Sequence, residues 1–448
     1  MFIKNRSELP SSPLHSTALD LLEHALNTAD PYKAIVSSVR VDGNNLVVRG
    51  EVVELSRRVH IVGFGKASKR MAEAVLDVLG ARVVGGIVIG PGDEGRLGPI
   101  EIVKGDHPIP RENTLRSSQK LLDYVVNNVS EDDTLVVLIS GGGSALFEVP
   151  EDGVSLSDIA NISRELMKRG ADIVELNTIR KRLSKTKGGK FLRFIRARNV
   201  LSLIVSDVTG DRLDTIASGP TAPDSTTFQD AYNVLTKYRL WDELPENIKS
   251  VFVRGLSGEI PDTPKPGDPI FSKVKNVIVA SNHIVVEEIA RKSEELGFRS
   301  LVLTTMLEGE AREVGKVIAS IVKSVHYYGK PLEKPAAIIA GGETTVTVRG
   351  SGIGGRNQEL CLSIALAIKD LPNTVVVCSA TDGVDGVSPA IGAIVDGETV
   401  RKALGVGLNP QQYLDNNDSY TLFSKLGQAI VTGYTGTNVN DILIALIK

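Results

Sequence analysis

Short apolar runs, unbroken by charge and each closing on small, hydroxyl or acidic residues, recur along this 448-residue chain. They are VHIVGFG (59–65), TLVVLISGGGS (134–144), LSLIVSD (201–207), NVIVASN (276–282), SLVLTT (300–305), AAIIAGGE (336–343) and TVVVCSATDG (374–383). Continuous rather than alternating apolar character is the pattern of strands buried on both faces, so the sheets are predicted to be mostly parallel and covered by helices. In such α/β architectures ligands bind beyond the carboxyl ends of the strands, where these small-residue loops fall. Near the amino end a helix is predicted over about 17–28, with Leu19, Leu22 and Leu26 on one stripe. Asp30-Pro31 then reads as an N-cap with proline at the first helical position.

A chain of this length is predicted to form two domains. The best linker candidate is GLSGEIPDTPKPGDPI (255–270), with four prolines and three glycines. The expected boundaries are 1–262 for a larger, Rossmann-like amino-terminal domain and 270–431 for a smaller carboxyl-terminal one, with 432–448 packing back onto the first.

Composition adds mainly exclusions. Apolar residues make up 42% and charged residues 23%, an ordinary globular balance, and the net charge of −3 gives no reason to expect nucleic acid or an anionic membrane as partner. No stretch reaches the roughly 20 apolar residues of a spanning helix, and the start lacks a signal-peptide core, so a cytoplasmic protein is expected. Cys361 and Cys378 show no CxxC spacing and read as buried, reduced thiols. The six histidines form no HxxxH or HExxH pair, which argues against zinc.

The candidate chemistry lies in the loops. In GFGKAS a strand turns through Gly65 into a helix at about Lys66, and the helix amino end offers open N–H groups beside a lysine for a phosphate or carboxylate. A dinucleotide turn needs a third glycine, and Ser68 stands there instead. The run Ser140, Gly141, Gly142, Gly143, Ser144 suggests close approach of backbone to a ligand. No GxxxxGK[ST] occurs, which excludes a P-loop NTPase. Asp207, at the end of LSLIV, is the best fixed of three acids that include Asp211 and Asp214, and suits a catalytic base or a metal ligand. Arg356 follows the glycine loop GSGIGG and suits bidentate clamping of a phosphoryl or carboxylate group. Asn282, Gly342 and Glu343, at other strand ends, are further binding candidates. Asp382 and Asp385 of TDGVDG serve either Mg²⁺ or a tight turn. Nine basic residues and no acid lie from Arg180 to Arg198, read as a solvated helix face or as an anion-attracting wall to which Arg180 and Lys187 contribute.

Together GFGKAS, DHPIP (106–110), LISGGGSAL, NTIRKRLSKTKGG, SDVTGD with SGPT, GGETTV, GGRNQE and TDGVDG resemble the glycerate 2-kinase family, whose carboxyl-terminal part is called the MOFRL domain. The resemblance covers nearly the whole chain in order. It implies ATP-dependent phosphorylation of D-glycerate at its 2-hydroxyl, giving 2-phosphoglycerate and ADP with Mg²⁺ or another divalent cation, in sugar breakdown of the Entner-Doudoroff type. It also implies that Lys66 and Arg356 face each other in an interdomain cleft and that Asp207 is the family's SDV aspartate. On chemical grounds Asp207 is expected to accept the 2-hydroxyl proton or hold Mg²⁺, with Asp382 and Glu343 as secondary metal candidates. A homo-oligomer, in the first place a homodimer, is expected. Two other readings stay open: an NAD(P)H-dependent hydroxypyruvate reductase, which would need a convincing dinucleotide turn, and a non-catalytic small-molecule sensor.

Overall fold

The computed structural model describes residues 1–448, which gather into two compact units. The first unit comprises Ala34–Ser206 and Asp211–Val279; the second comprises Met1–Lys33, Asp207–Gly210 and Ala280–Lys448.

In the first unit a small antiparallel sheet is formed by β1 (Val39–Asp42), β2 (Asn45–Val48) and β3 (Glu51–Glu54). The main sheet contains β4 (Val59–Phe64), β5 (Val83–Gly90), β6 (Gly95–Leu97), β7 (Ile100–Lys104), β8 (Thr134–Ile139), β9 (Asn199–Val205) and β10 (Val274–Ala280), in the order β10-β9-β8-β4-β5-β7-β6. From β9 to β7 the pairing is parallel, and the short edge strand β6 is antiparallel. Every side chain of β4 and β8 is buried, as their unbroken apolar runs require. Helices Leu156–Lys168, Ile173–Leu183 and Phe228–Lys237 each begin on a reciprocal cap, Ser155 with Asp158, Asp172 with Glu175 and Thr227 with Asp230. With Glu246–Leu256 they bury Ile162, Leu166, Ile179, Leu235 and Phe252 in a second cluster.

The basic stretch is not the solvated helix face expected of it. Lys181, Arg182, Lys187 and Lys190 are buried, each against an acid. Lys181 Nζ lies 3.1 Å and Arg182 Nη1 2.8 Å from the two oxygens of Asp224, and Arg182 Nη2 lies 2.9 Å from Asp262. Lys187 pairs with Glu148 and Lys190 with Glu151, both at 2.7 Å. The partner acids come from distant parts of the chain, so local charge density gave the wrong environment. Asp262 belongs to the proline-rich segment read as a linker, and Pro264 O accepts from Asp224 N at 3.0 Å. That segment is therefore pinned into the first unit, and the division falls at 279/280 rather than within 255–270.

The second unit holds a six-stranded sheet of β11 (Arg299–Leu307), β12 (Ala336–Gly342), β13 (Thr374–Ser379), β14 (Gly392–Asp396), β15 (Ala429–Ile430) and β16 (Asp441–Ile447), in the order β11-β12-β16-β13-β14-β15. Only β11 and β12 pair in parallel. The α/β class stands, but the expected mostly parallel second sheet does not: β16 inserts antiparallel between β12 and β13, and β14 and β15 follow antiparallel. An all-apolar strand reports burial on both faces and not its direction. Because β16 is central here, residues 441–447 do not form a segment returning to the first unit. The amino-terminal helix runs Pro13–Ala29, capped by Ser12, and packs on helix Asn282–Glu295 and β13, which places residues 1–33 in the second unit rather than the first. Asp30 Oδ1 accepts from Lys33 N at 3.0 Å at the start of Pro31–Ser38, as its capping position predicts. Cys361 and Cys378 are free and buried.

Burial would raise the Asp224 carboxyl, yet Arg182 and Lys181 bring it down to about 2, from an ordinary value of 3.8. A depressed carboxylate contributes stability that is present above the unfolded value and lost as the pH falls through the folded one. Asp224→Ala should therefore lower stability by about 3–5 kcal/mol at neutral pH. In denaturant titrations the wild type should lose about 2 kcal/mol between pH 5 and 2 that the variant does not.

Candidate active site

In the first unit the ends of β4 and β8 meet. Lys66 N donates to Gly141 O at 2.9 Å, and Ala67 N donates to Ser140 Oγ at 3.0 Å. Ser68 N donates to Gly65 O at 3.3 Å. These amides at the start of helix Ser68–Leu79, expected to be open to an anion, are thus engaged within the chain. The open ones lie on the facing loop: the N–H groups of Gly141, Gly142 and Ser144 have no acceptor in the chain. Gly142 is at φ +79, and a Cβ there would stand 2.9 Å from His107 Cδ2 and 3.2 Å from Lys66 Cγ. The lysine stem and the imidazole therefore flank the glycine loop, and the exposed Lys66 side chain rises from the same place as the three free amides. That is an anion nest with a lysine at its side.

Ser140 and Gly143 are buried structural members of the loop, and Ser144 Oγ pairs with Ser218 Oγ at 2.9 Å. Ser218, which also donates to Asn177, lies with Ala217 in left-handed backbone at φ +61 and +50. Strain held by hydrogen bonding is frequent where geometry must be fixed for function. Burial and the nearby Lys66 charge hold the His107 imidazole below its ordinary value. Ser68, in the place of a third dinucleotide glycine, donates its hydroxyl to Gly65 O and Ile89 O at 2.7 and 2.8 Å, closing the turn that a pyrophosphate would need.

In the second unit Arg356 opens helix Arg356–Ala367, yet the amino end of that helix is already filled. Asp385 accepts from Asn357 N and Gln358 N at 3.1 and 2.9 Å and from both of their side-chain amides. Asp385 is thus a buried helix cap, which removes it as a Mg²⁺ candidate; burial pushes its carboxyl up against the pull of these bonds. Gly355 has no room for a side chain, since a Cβ would lie 2.3 Å from Asp385. Arg356 Nε and Nη2 donate to Asp441 at 2.5 and 3.0 Å, and Nη1 lies 2.8 Å from Glu343 Oε1. Burial opposes the guanidinium charge, but the two carboxylates more than offset this and raise its pKa. The residue expected as a free clamp is thus held in a fixed orientation by Asp441, a residue with no local sequence signal of its own.

A cavity of about 830 Å³ opens beside it, its lining including Thr209, Glu308, Glu343, Arg356, Glu359 and Asn417. The short segment carrying Asp207 reaches this region, since Asn440 Nδ2 donates to Thr209 Oγ1 at 3.4 Å. Asp382, partly exposed, accepts from Val384 N at 3.2 Å. Asn282 is not brought to the cavity as a ligand: its amide donates to Val439 O and Asp441 O, both at 2.9 Å, bracing the entry to β16. Gly342 serves packing, because a Cβ there would meet the Leu307 backbone at 2.2 Å. No group of three or more His, Cys, Asp or Glu side chains is gathered as a metal site. Mg²⁺ needs less, one or two carboxylates with phosphates and waters, and Asp382 fits that requirement.

These two clusters, a glycine anion nest with a lysine and a carboxylate-held arginine over an open cavity, define a protein that handles phosphorylated or carboxylated small molecules. Residues 17–253 match the family described as a domain of unknown function, DUF4147, and residues 336–441 match the MOFRL family. The glycerate 2-kinase of Pyrococcus horikoshii is 42% identical over 97% of both chains. The D-glycerate 2-kinase of Thermotoga maritima is 45% identical over 87% of this chain and 91% of its own. A solved glycerate kinase structure from T. maritima superposes with a TM-score of 0.87 at 41% identity, covering 97% of this chain and 99% of that one. The chain belongs to the glycerate 2-kinase family.

Asp441, and His107 and Glu148 of the first unit, are not among the residues the sequence pattern points to, although His107 lies inside the DHPIP motif. Burial lifts the Asp441 carboxyl to about 6 despite Arg356. Its charge, and with it the grip on Arg356, is present above that pH and lost below it. A catalytic rate that declines as the pH falls through about 6, with the acid limb displaced in Asp441→Asn, is the expected pH profile. Because the folded value lies above the ordinary one, ionisation of Asp441 lowers stability as the pH rises from about 4 to 6.

Proposed function

We propose that the chain transfers the γ-phosphoryl group of ATP to the 2-hydroxyl of D-glycerate, releasing 2-phosphoglycerate and ADP. The observation that carries this reading is the nest of Gly141, Gly142 and Ser144 amides beside the Lys66 side chain, in a chain whose relatives are named for this activity. Phosphoryl transfer spreads negative charge over the transferred oxygens, so catalysis rests on positioning and positive charge rather than on covalent chemistry. Lys66 and the nest bind phosphoryl oxygens, and Arg356 supplies a second, rigidly oriented cation. The 2-hydroxyl oxygen attacks Pγ, the bond from Pγ to the bridging oxygen breaks, and Asp207 accepts the hydroxyl proton. Asp382 would hold Mg²⁺, joined by Asp207 if that carboxylate serves the metal in place of the proton, and the ion would supply charge neutralisation when bound. The reaction takes place in the cytoplasm, in a homodimer.

Neither alternative is favoured by an observation. A reductase needs the dinucleotide turn that Ser68 closes, and a sensor needs no cation set beside a nest of open amides.

With D-glycerate, ATP and Mg²⁺, product should be consumed by enolase without added phosphoglycerate mutase, and ADP should form in equal amount. NADH oxidation by hydroxypyruvate in place of ADP formation would overturn the reading. Lys66→Ala and Arg356→Ala should each lower kcat by about 100-fold or more with an unchanged circular-dichroism spectrum; near-normal turnover in either would remove that residue from the assignment.

A further inference from the structure

A separate cavity of about 340 Å³ lies in the first unit behind the glycine loop. Gly142, Ser144 and His107 stand at its rim, Ile109 and Met167 give it apolar wall, and Arg164, Arg180, Lys187 and Glu148 give it charge. Arg180 is largely covered, yet only its Nε is engaged, donating to Ser163 Oγ at 3.1 Å. Neither of its Nη atoms has an acceptor, and no carboxylate lies within ion-pair distance. Glu148 is 1% exposed and uses one oxygen, Oε2, on Lys187 Nζ at 2.7 Å. Its other oxygen, Oε1, is buried with no partner. A buried acceptor without a donor and a guanidinium fork without an acceptor are each costly, and side by side in one cavity they describe a missing ligand.

That ligand must carry an acidic group for the fork and a hydroxyl for the carboxylate, since a second anion would be repelled by Glu148. The guanidinium plane matches a carboxylate through two parallel N–H bonds. We propose that this cavity is the acceptor-substrate pocket, with Arg180 binding the carboxylate of a short hydroxy acid and Glu148 Oε1 accepting from its terminal hydroxyl. The inference rests on the glycerate 2-kinase reading and extends it to regiochemistry. With both ends of the three-carbon chain anchored, the hydroxyl left free is the one on the middle carbon. That hydroxyl faces the rim, where Gly142 and Lys66 meet the incoming phosphoryl group.

The test uses the full-length protein and two variants, Arg180→Met and Glu148→Gln, each first checked by circular dichroism and thermal melting. Arg180→Met should raise the KM for D-glycerate by 100-fold or more and leave the KM for ATP within about threefold. Calorimetric titration with D-glycerate alone should show binding to the wild type and none to Arg180→Met, while ADP binding is retained. Glu148→Gln should weaken D-glycerate and let 3-phosphoglycerate appear among the products, read as enolase signal that now needs mutase. An unchanged KM for D-glycerate in Arg180→Met, or a rise confined to ATP, overturns the assignment. Should Arg180→Met unfold, Arg180→Lys, which keeps the charge but not the fork, must still raise the D-glycerate KM at least tenfold. Absence of any ADP formation by the wild type would fail the kinase reading instead, and the titrations would still decide whether Arg180 binds the acid.

Discussion

The candidate site of the first unit depends on the meeting of two strand ends, where the turn after β4 presses against the loop after β8. A Cβ on Gly65 would stand 2.2 Å from Ser140 Oγ, at φ +130, so no other residue fits. The contact makes Lys66 N bond Gly141 O and Ala67 N bond Ser140 Oγ. By engaging the amides of one loop, it decides that the amides left for a ligand are those of the other. The parallel register of β4 with β8, Phe64 opposite Ile139, sets this height. The site thus depends on main-chain packing in the centre of the sheet, and the lysine only completes it.

The second unit solves a related problem with carboxylates. The free N–H groups at the start of helix Arg356–Ala367 would attract an anion, but Asp385 occupies them, so the helix end is a structural joint and the guanidinium is the cationic group that remains beside the cavity. Asp441 and Glu343 then restrain Arg356, which lowers the entropy cost of using a long side chain at the price of partly neutralising it. The buried Asp224 network with Lys181, Arg182 and Asp262 shows the same economy in the first unit, where acids far apart in sequence convert a basic run into internal scaffold. Arg180, one residue before that network, makes no such ion pair, and this difference from its neighbours marks it as available to a ligand.

Much of this was written in the chain. Seven apolar runs are seven strands, because burial on both faces leaves a pattern that needs no knowledge of partners. Glycines at 65, 142 and 355 and the cations at 66 and 356 are equally local signals, since close backbone approach and loop-borne charge are visible one residue at a time. What the tertiary structure alone decided is every pairing between distant residues: the insertion of β16 between β12 and β13, the return of residues 1–33 to the second unit, the capture of Arg356 by Asp441, and the burial of Lys181 and Arg182 while Arg180 stays unpaired. Strand direction, ion pairing and the sharing of amides depend on which segments become neighbours, and hydrophobic periodicity is blind to that because it reports how deeply a residue is buried and not against what.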